Sequence, residues 1–218
     1  LVKMQQTIHS QTEPAWLTKQ RAQAYKKFLQ LPLPKEDKRT TYHQLAFEDV
    51  ELGKVDIKLS KNDNKKIILT DFATNNPLLK RYLNSTTAND TKFGAFNTAF
   101  WSKGTFIHIP KNVKVKNPLE IVKKGNGAVR TLIVAEEGSE VDIVEIAEGK
   151  GEINSECVEI IVKQGAKVRY ASLQDFNEKT ISLITRRAIV EKDAVLGWAD
   201  GCFGSSFVAT DINSIMMG

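Results

Sequence analysis

The chain is predicted to be mainly β, a right-handed parallel β-helix (solenoid) preceded by a small α-rich mixed N-terminal region. The first observation behind this is an echo: "VAEEGSEVDI" (134–143), "IVKQGAKVRY" (161–170) and "IVEKDAVLGW" (189–198) share one pattern. Anchored on Asn112, Gly138, Gly165 and Asp193, the pattern recurs at steps of 26, 27 and 28 residues. The second is alternation. Three residues past the anchors stand Val115, Val141, Val168 and Leu196, three before them Ile109, Ala135, Val162 and Val190, and five before them Ile107, Ile133, Ile160 and Ala188. Apolar residues at every second position mark short strands, because successive side chains of a strand point to opposite faces. The third is the anchors themselves, since Gly, Asn and Asp tolerate the left-handed backbone that a corner requires. A single such unit cannot bury its apolar face, so the units are expected to stack, each strand about 4.8 Å above the one before.

The elements are read in chain order. "TEPAWLTKQRAQAYKKFLQLPLP" predicts an amphipathic helix, with Thr12 and Pro14 at its start, Trp16, Leu17, Ala24, Phe28 and Leu29 at helical spacing, and Pro32 and Pro34 ending it. After the charged loop "KEDKRT" come strand-like segments, "LAFEDVEL", "VDIKLS" and "KKIILTDF". Asn76 and Pro77 offer the cap and first turn of a short helix, "PLLKRYLN". The polar run "STTANDTK" gives a core no side chain, so it divides an N-terminal region (1–92) from a solenoid (93–218). The chain starts at Leu1 and stops within the apolar "INSIMMG", where a solenoid needs a polar cap; it is expected to be a fragment of a longer protein.

Composition narrows the function classes. No apolar run approaches the roughly 18 residues of a membrane span, and "LVKMQQTIHSQTE" has no signal-peptide core, so a cytoplasmic protein without membrane contact is expected. Residues 1–91 carry 15 basic and 10 acidic side chains and residues 92–218 carry 16 of each. A scattered excess of this kind, without interleaved aromatics, argues for a solvated basic surface rather than nucleic-acid binding. Cys157 and Cys202 have neither disulfide-framework nor zinc spacing and are expected to be free thiols. His9, His43 and His108 are dispersed, with no carboxylate or cysteine at ligand spacing. "GWADGCFGSS" lacks the Gly-Lys-Ser/Thr ending of a phosphate loop and is read as a corner. Nothing points to an enzyme.

The repeat register picks out candidate interior residues. Odd offsets from an anchor share the inward parity of the apolar columns. Seven before the anchor lie Thr105, Thr131, Val158 and Arg186, and nine after it Ile121, Ala147, Gln174 and Cys202. Either parity is lost at the corners and these side chains reach solvent, or Gln174, Arg186 and Cys202 form a polar inclusion. In the second case Arg186 must be paired, because burying a lone guanidinium is costly, and Cys202 should resist alkylation. Cys157, eight before its anchor, is expected to point outward, stacked on Arg130, as a surface thiol whose pKa a neighbouring cation could lower.

Several stretches together resemble the SufB/SufD family, the scaffold proteins of Suf iron–sulfur cluster assembly. These are "EPAWLTKQRAQAYKKFLQLPLP", "FNTAFWSKGTFIHIPKNVKVKNPLEI", "KVRYASLQDF" and "RRAIVEKDAVLGWADGCFGSS", in the family's order and over nearly the whole chain. The LPLP opening, and Asp175 and Phe176 where SufB has Asn and Trp, resemble the SufD branch. The resemblance implies a scaffold working with a SufB-like paralogue and the SufC ATPase, as a heterodimer or a homodimer. It implies no cofactor bound by this segment, with an iron–sulfur cluster carried transiently by the full complex. Its strongest assembly residues, a Cys and a His at the subunit interface, would lie beyond Gly218, and no residue here can be assigned to the reduced flavin associated with the complex. Gln174 matches the glutamine of a SufB segment, and Arg186 a basic position, linked there to sulfur passage through the β-helix. A polysaccharide-active β-helix enzyme, using a row of outer carboxylates, and a structural solenoid with an unrelated partner are the alternatives.

Overall fold

In the computed structural model residues 13–34, 52–61, 64–72 and 76–218 are described. The strand expected at "LAFEDVEL" falls outside them except for Leu52, as do Thr12, the loop "KEDKRT", His9 and His43. The architecture is a β-solenoid of about four turns with a small helical N-terminal region, 51% of the chain being strand.

Each turn contributes one strand to each of two sheets. The five-stranded sheet has the order β1 (Val55–Leu59), β4 (Leu119–Gly125), β6 (Glu140–Gly149), β8 (Lys167–Phe176), β10 (Val195–Gly204). The six-stranded sheet has the order β11 (Phe207–Met216), β9 (Ile181–Val190), β7 (Ile153–Val162), β5 (Gly127–Ala135), β3 (Lys103–Ile109), β2 (Ile68–Asp71). The stacked strands are parallel, while β1 and β2 add antiparallel to β4 and β3 and cover the edge of the first turn. An uncovered edge would present a row of unpaired backbone groups.

The anchors form one corner, as the repeat predicts. Asn112, Gly138, Gly165 and Asp193 have φ of 61°, 64°, 64° and 58°. Their amides climb the corner: Asn112 N–H donates to Glu137 O, Gly138 N–H to Gln164 O and Gly165 N–H to Lys192 O, at 2.9–3.0 Å. Val141, Val168 and Leu196 stack in register behind them. The first turn departs from the simple count. Lys114 pairs with Glu140 but Leu119 pairs with Ile143, so two extra residues are accommodated between Val115 and Leu119. Inward parity survives, but Ile121 stacks on Glu145 rather than on Ala147, and Lys123 takes the place beside Ala147.

Two cores result. The first fills the solenoid and contains Ile107, Ile121, Ile133, Val141, Ile160, Val168 and Tyr170. The second lies between the outer face of the six-stranded sheet and three helices, α1 (Ala15–Gln30), α2 (Pro77–Tyr82) and α3 (Lys92–Phe100). Every residue of β5 and β7 is therefore buried, whereas β6 and β8 alternate between inside and solvent. A sheet covered on both faces loses its alternation of polarity, which is what the sequence of β5 and β7 shows.

α1 buries Leu17, Ala24 and Phe28 at the expected spacing and stops at Leu31, before Pro32. Leu29, expected on the apolar face, is 52% exposed, and Arg21 is buried in its place. Arg21 pairs with Glu13, donates to the Ala99 and Trp101 carbonyls that end α3, and lies 3.8 Å from the Trp101 ring centroid. Asn76 caps α2 by accepting from Leu78 N–H at 2.9 Å. α3 occupies residues that the repeat reading had placed at the start of the solenoid from Phe93. Thr91 caps it, and Phe93, Phe96 and Phe100 recur at helical spacing. Gly94 allows it to seat, since a Cβ there would fall 1.7 Å from the Ala88 carbonyl oxygen. No described helix is long and apolar enough to cross a membrane.

Candidate functional site

The interior of the solenoid is not uniformly apolar. Toward the far end of the sheets from the anchor corner, five charged side chains point inward: Lys123 from β4, Glu145 from β6, Glu156 from β7, Arg186 from β9 and Asp200 from β10. They meet because the coils stack. Glu145, Ser172 and Asp200 occupy one register column, and Lys123, Ala147, Gln174 and Cys202 the next. Arg186 continues the column Thr105, Thr131, Val158 on the facing sheet.

Lys123 Nζ lies 2.7 Å from Glu145 Oε2 and donates to Glu156 Oε1 and, at 3.3 Å, to Thr131 Oγ1. The second oxygen of Glu156 accepts from Gln174 Nε2 at 2.7 Å and Arg186 Nη2 at 3.0 Å. Arg186 also donates to Ser172 Oγ and, through Nε and Nη2, to Asp200 Oδ1 at 3.2 and 3.0 Å. Its guanidinium carbon is 5.5 Å from the Tyr170 ring centroid. Lys123, Glu145, Glu156, Gln174 and Arg186 are all at most 2% exposed.

This enclosure sets the protonation. Burial opposes the ionisation of Glu156, but Arg186 and Lys123 hold its carboxyl well below the usual range. Burial, then the charge of Glu156, push Glu145 the other way, up to about 8. Arg186 stays charged because the carboxylates, Glu156 first, outweigh the cost of its burial. A buried charge persists only when paired and hydrogen-bonded, and this network supplies both conditions.

Of the three residues singled out from sequence, Gln174 and Arg186 lie inside and share Glu156. Cys202 stacks beside Gln174 as the register required, but it is exposed. β10 is the edge strand of its sheet among the described residues, so its inward side chains have a stacked neighbour on one side. Rapid alkylation of Cys202 in the folded chain is therefore the expected result, replacing the resistance that parity alone suggested.

Cys157 corrects the opposite expectation. It stacks on Arg130 and points outward, but outward on this sheet means into the helical layer, and the thiol is fully buried. Burial pushes it up to about 11, against the pull of Arg130. It should label only when the chain unfolds. Peptide mapping after brief iodoacetamide treatment checks both thiols, and equal labelling of the two would contradict the burial described.

Lys123, Glu145, Glu156 and Asp200 escaped the sequence reading. The signal was present: Glu156 sits nine before Gly165, and Glu145 and Asp200 seven after their anchors, all odd offsets. Lys123 was hidden by the two extra residues in the first turn. "GWADGCFGSS" forms β10 and a corner at Gly204 and Ser205, both with positive φ. On the outer face Asp142 pairs with Arg169, which stacks on Gly197, so this column does not continue as a row of carboxylates among the described residues. Among the described residues no three His, Cys, Asp or Glu side chains come together to hold a metal ion.

Comparison with known proteins places this architecture. Residues 65–121 match the profile described as the SufBD protein N-terminal region, and residues 121–218 match that of the SufBD core domain of SUF system FeS cluster assembly. An iron-sulfur cluster assembly SufBD family protein of Staphylococcus saprophyticus is 35% identical over 170 residues, covering 72% of this chain and 37% of that protein. One from Staphylococcus epidermidis is 31% identical over 207 residues, covering 90% of this chain and 42% of that protein. The chain thus spans about two fifths of the length of these relatives. The family's two regions adjoin at residue 121, the first spanning α2, α3 and the opening of the solenoid and the second its later coils, and the chain belongs to the SufBD family of iron–sulfur cluster assembly proteins.

Proposed function

We propose that the chain is part of a SufD-like scaffold subunit that works in the cytoplasm with a SufB-like paralogue and the SufC ATPase. It would hold its partner in position and pass on ATPase-driven movement while a cluster is built, performing no chemistry itself. The observation that carries this is mechanical: a two-sheet solenoid is joined to its helical layer through a buried ion-pair network, Arg130 and Glu159 with Asn84, Thr86 and Thr98. Such a body transmits force without deforming, because its interfaces are close-packed and cross-linked by satisfied polar groups. The SufD branch is supported by the LPLP opening and by Asp175 and Phe176.

The placement of the two cysteines accords with the reading that this segment itself holds no cluster. A cluster takes about four thiolate or imidazole ligands converging on one site. Here Cys157 is sealed beneath α3 while Cys202 is exposed on β10. The test is an affinity pull-down of the tagged full-length protein from its own cells, together with anaerobic reconstitution of this 218-residue chain, purified alone, with iron and sulfide. An ABC-type ATPase and a SufB-like paralogue should co-purify with the full-length protein, and desalting should remove all cluster absorbance from the isolated chain. A stoichiometric cluster lost on Cys157→Ser or Cys202→Ser would overturn the scaffold role.

A further inference from the structure

The interior column holds three carboxyl groups against two cations. Glu145, Glu156 and Asp200 face Lys123 and Arg186, so with every group ionised the enclosure carries one uncompensated negative charge. Low-dielectric surroundings make such an excess costly, and a carboxyl group can remove it by keeping its proton.

Geometry locates that proton. The carboxyls of Glu145 and Glu156 converge on the same ammonium, one oxygen of each lying against Lys123 Nζ. One ammonium compensates only one of two carboxylate charges, so the arrangement is neutral only if the other carboxyl is an acid. Glu156 is the committed anion. Its oxygens already accept from Lys123, Gln174 and Arg186, whereas neither oxygen of Glu145 accepts a directed hydrogen bond. Lys123 and, more weakly, Arg186 favour the ionised form of Glu145, but burial and the charge of Glu156 outweigh them. Val144 and Ile146 flank it in β6, Ser172 is its neighbour in β8, and the buried Tyr170 hydroxyl faces it without another partner. Asp200 is occupied by Ser172 and Arg186.

We propose that the solenoid interior is a proton-exchange site in which Glu145 and Glu156 share one proton, carried by Glu145 and donated to Glu156. With the proton in place the enclosure is neutral; when it leaves, the column becomes net negative. The affinity for this proton is far greater in the folded state, where Glu145 is held at about 8, than in the unfolded chain. The contribution of Glu145 to stability is therefore fully present below the ordinary carboxylate range, declines as pH rises through that range to about 8, and is flat above it.

The test is infrared spectroscopy of the full chain labelled with ¹³C-carboxyl glutamate, titrated across pH about 8. The expected spectrum at neutral pH contains the carbonyl stretch of a protonated glutamate. The band disappears on the alkaline side and is absent from Glu145→Gln at every pH. In parallel, the midpoint of urea unfolding should fall with rising pH in the wild type and lose most of that fall in Glu145→Gln. A neutral-pH spectrum without the band, or a band that persists in Glu145→Gln, would overturn the proposal. Should Glu145→Gln fail to fold, the labelled wild-type titration decides alone, through the presence of the band and its loss near the stated pH.

Discussion

Glu156→Gln is expected to destabilise the fold by about 3–5 kcal/mol, the range for removing one partner of a buried ion pair. The substitution keeps the shape and even the hydrogen-bonding capacity of one oxygen, so steric loss contributes little. What it removes is the charge that Lys123 and Arg186 both depend on, and these cations are 2% and 0% exposed. Asp200 still holds Arg186, but Lys123 would be left with Glu145, which must then ionise at the cost of its own burial. Glu145→Gln is the control from the same enclosure. It replaces a group that is neutral near pH 7 and is expected to change stability by no more than about 1 kcal/mol, the value of an ordinary neutral hydrogen bond. Urea denaturation at neutral pH compares the two. Equal losses would mean that the carboxyls are interchangeable and that the division of charge between them described above is wrong.

The second large effect is expected on the other face of the six-stranded sheet. Glu159→Ala should cost about 3–5 kcal/mol and loosen the helical layer before the solenoid unfolds. Glu159 accepts from Arg130 Nε and Nη2 at 3.1 and 2.7 Å, from the Asn84 backbone amide at 3.0 Å and from Thr86 Oγ1 at 2.6 Å. The last two belong to the segment joining α2 to α3, so one carboxylate ties that segment to β7. Arg130 reinforces the tie by donating to Thr98 Oγ1 and Asn84 Oδ1, at 2.7 and 2.6 Å. Hydrogen exchange should show residues 76–100 losing protection in the variant while the amides of β6 and β8 keep theirs. Uniform loss of protection across both layers would show that the clamp is no more than one contributor to a single cooperative core. Conversely, Cys157, beside Arg130 under α3, should begin to label under native conditions in Glu159→Ala.

The solenoid was legible because its causes are local and repeated. Left-handed corners demand Asn, Gly or Asp at one place in every turn, and inward columns demand apolar residues at alternate positions, so Asn112, Gly138, Gly165 and Asp193 and the rows beside them announce the fold directly. The same parity offered an inward position for Gln174 and Arg186 as one of two alternatives, the one the structure shows, and stacked Cys202 on Gln174 and Cys157 on Arg130. What parity could not say is what lies beyond each face. Outward from β7 is a helical layer rather than water, which buries Cys157; β10 is an edge strand among the described residues, where Cys202 is exposed. α3 was missed because a run buried on every side carries no alternation of polarity by which to tell helix from strand. The interior ion network was missed for a related reason. Lys123, Glu145, Glu156, Arg186 and Asp200 are spread over 78 positions of sequence, and two extra residues between Val115 and Leu119 shift Lys123 out of the simple count. The sequence by itself determined the repeat, its corners and the direction in which each side chain points. Which of those side chains meet, and therefore which carboxyl ionises and which keeps its proton, only the stacking of five strands from two sheets decided, because charge pairing acts across a few ångströms of space and is indifferent to distance along the chain.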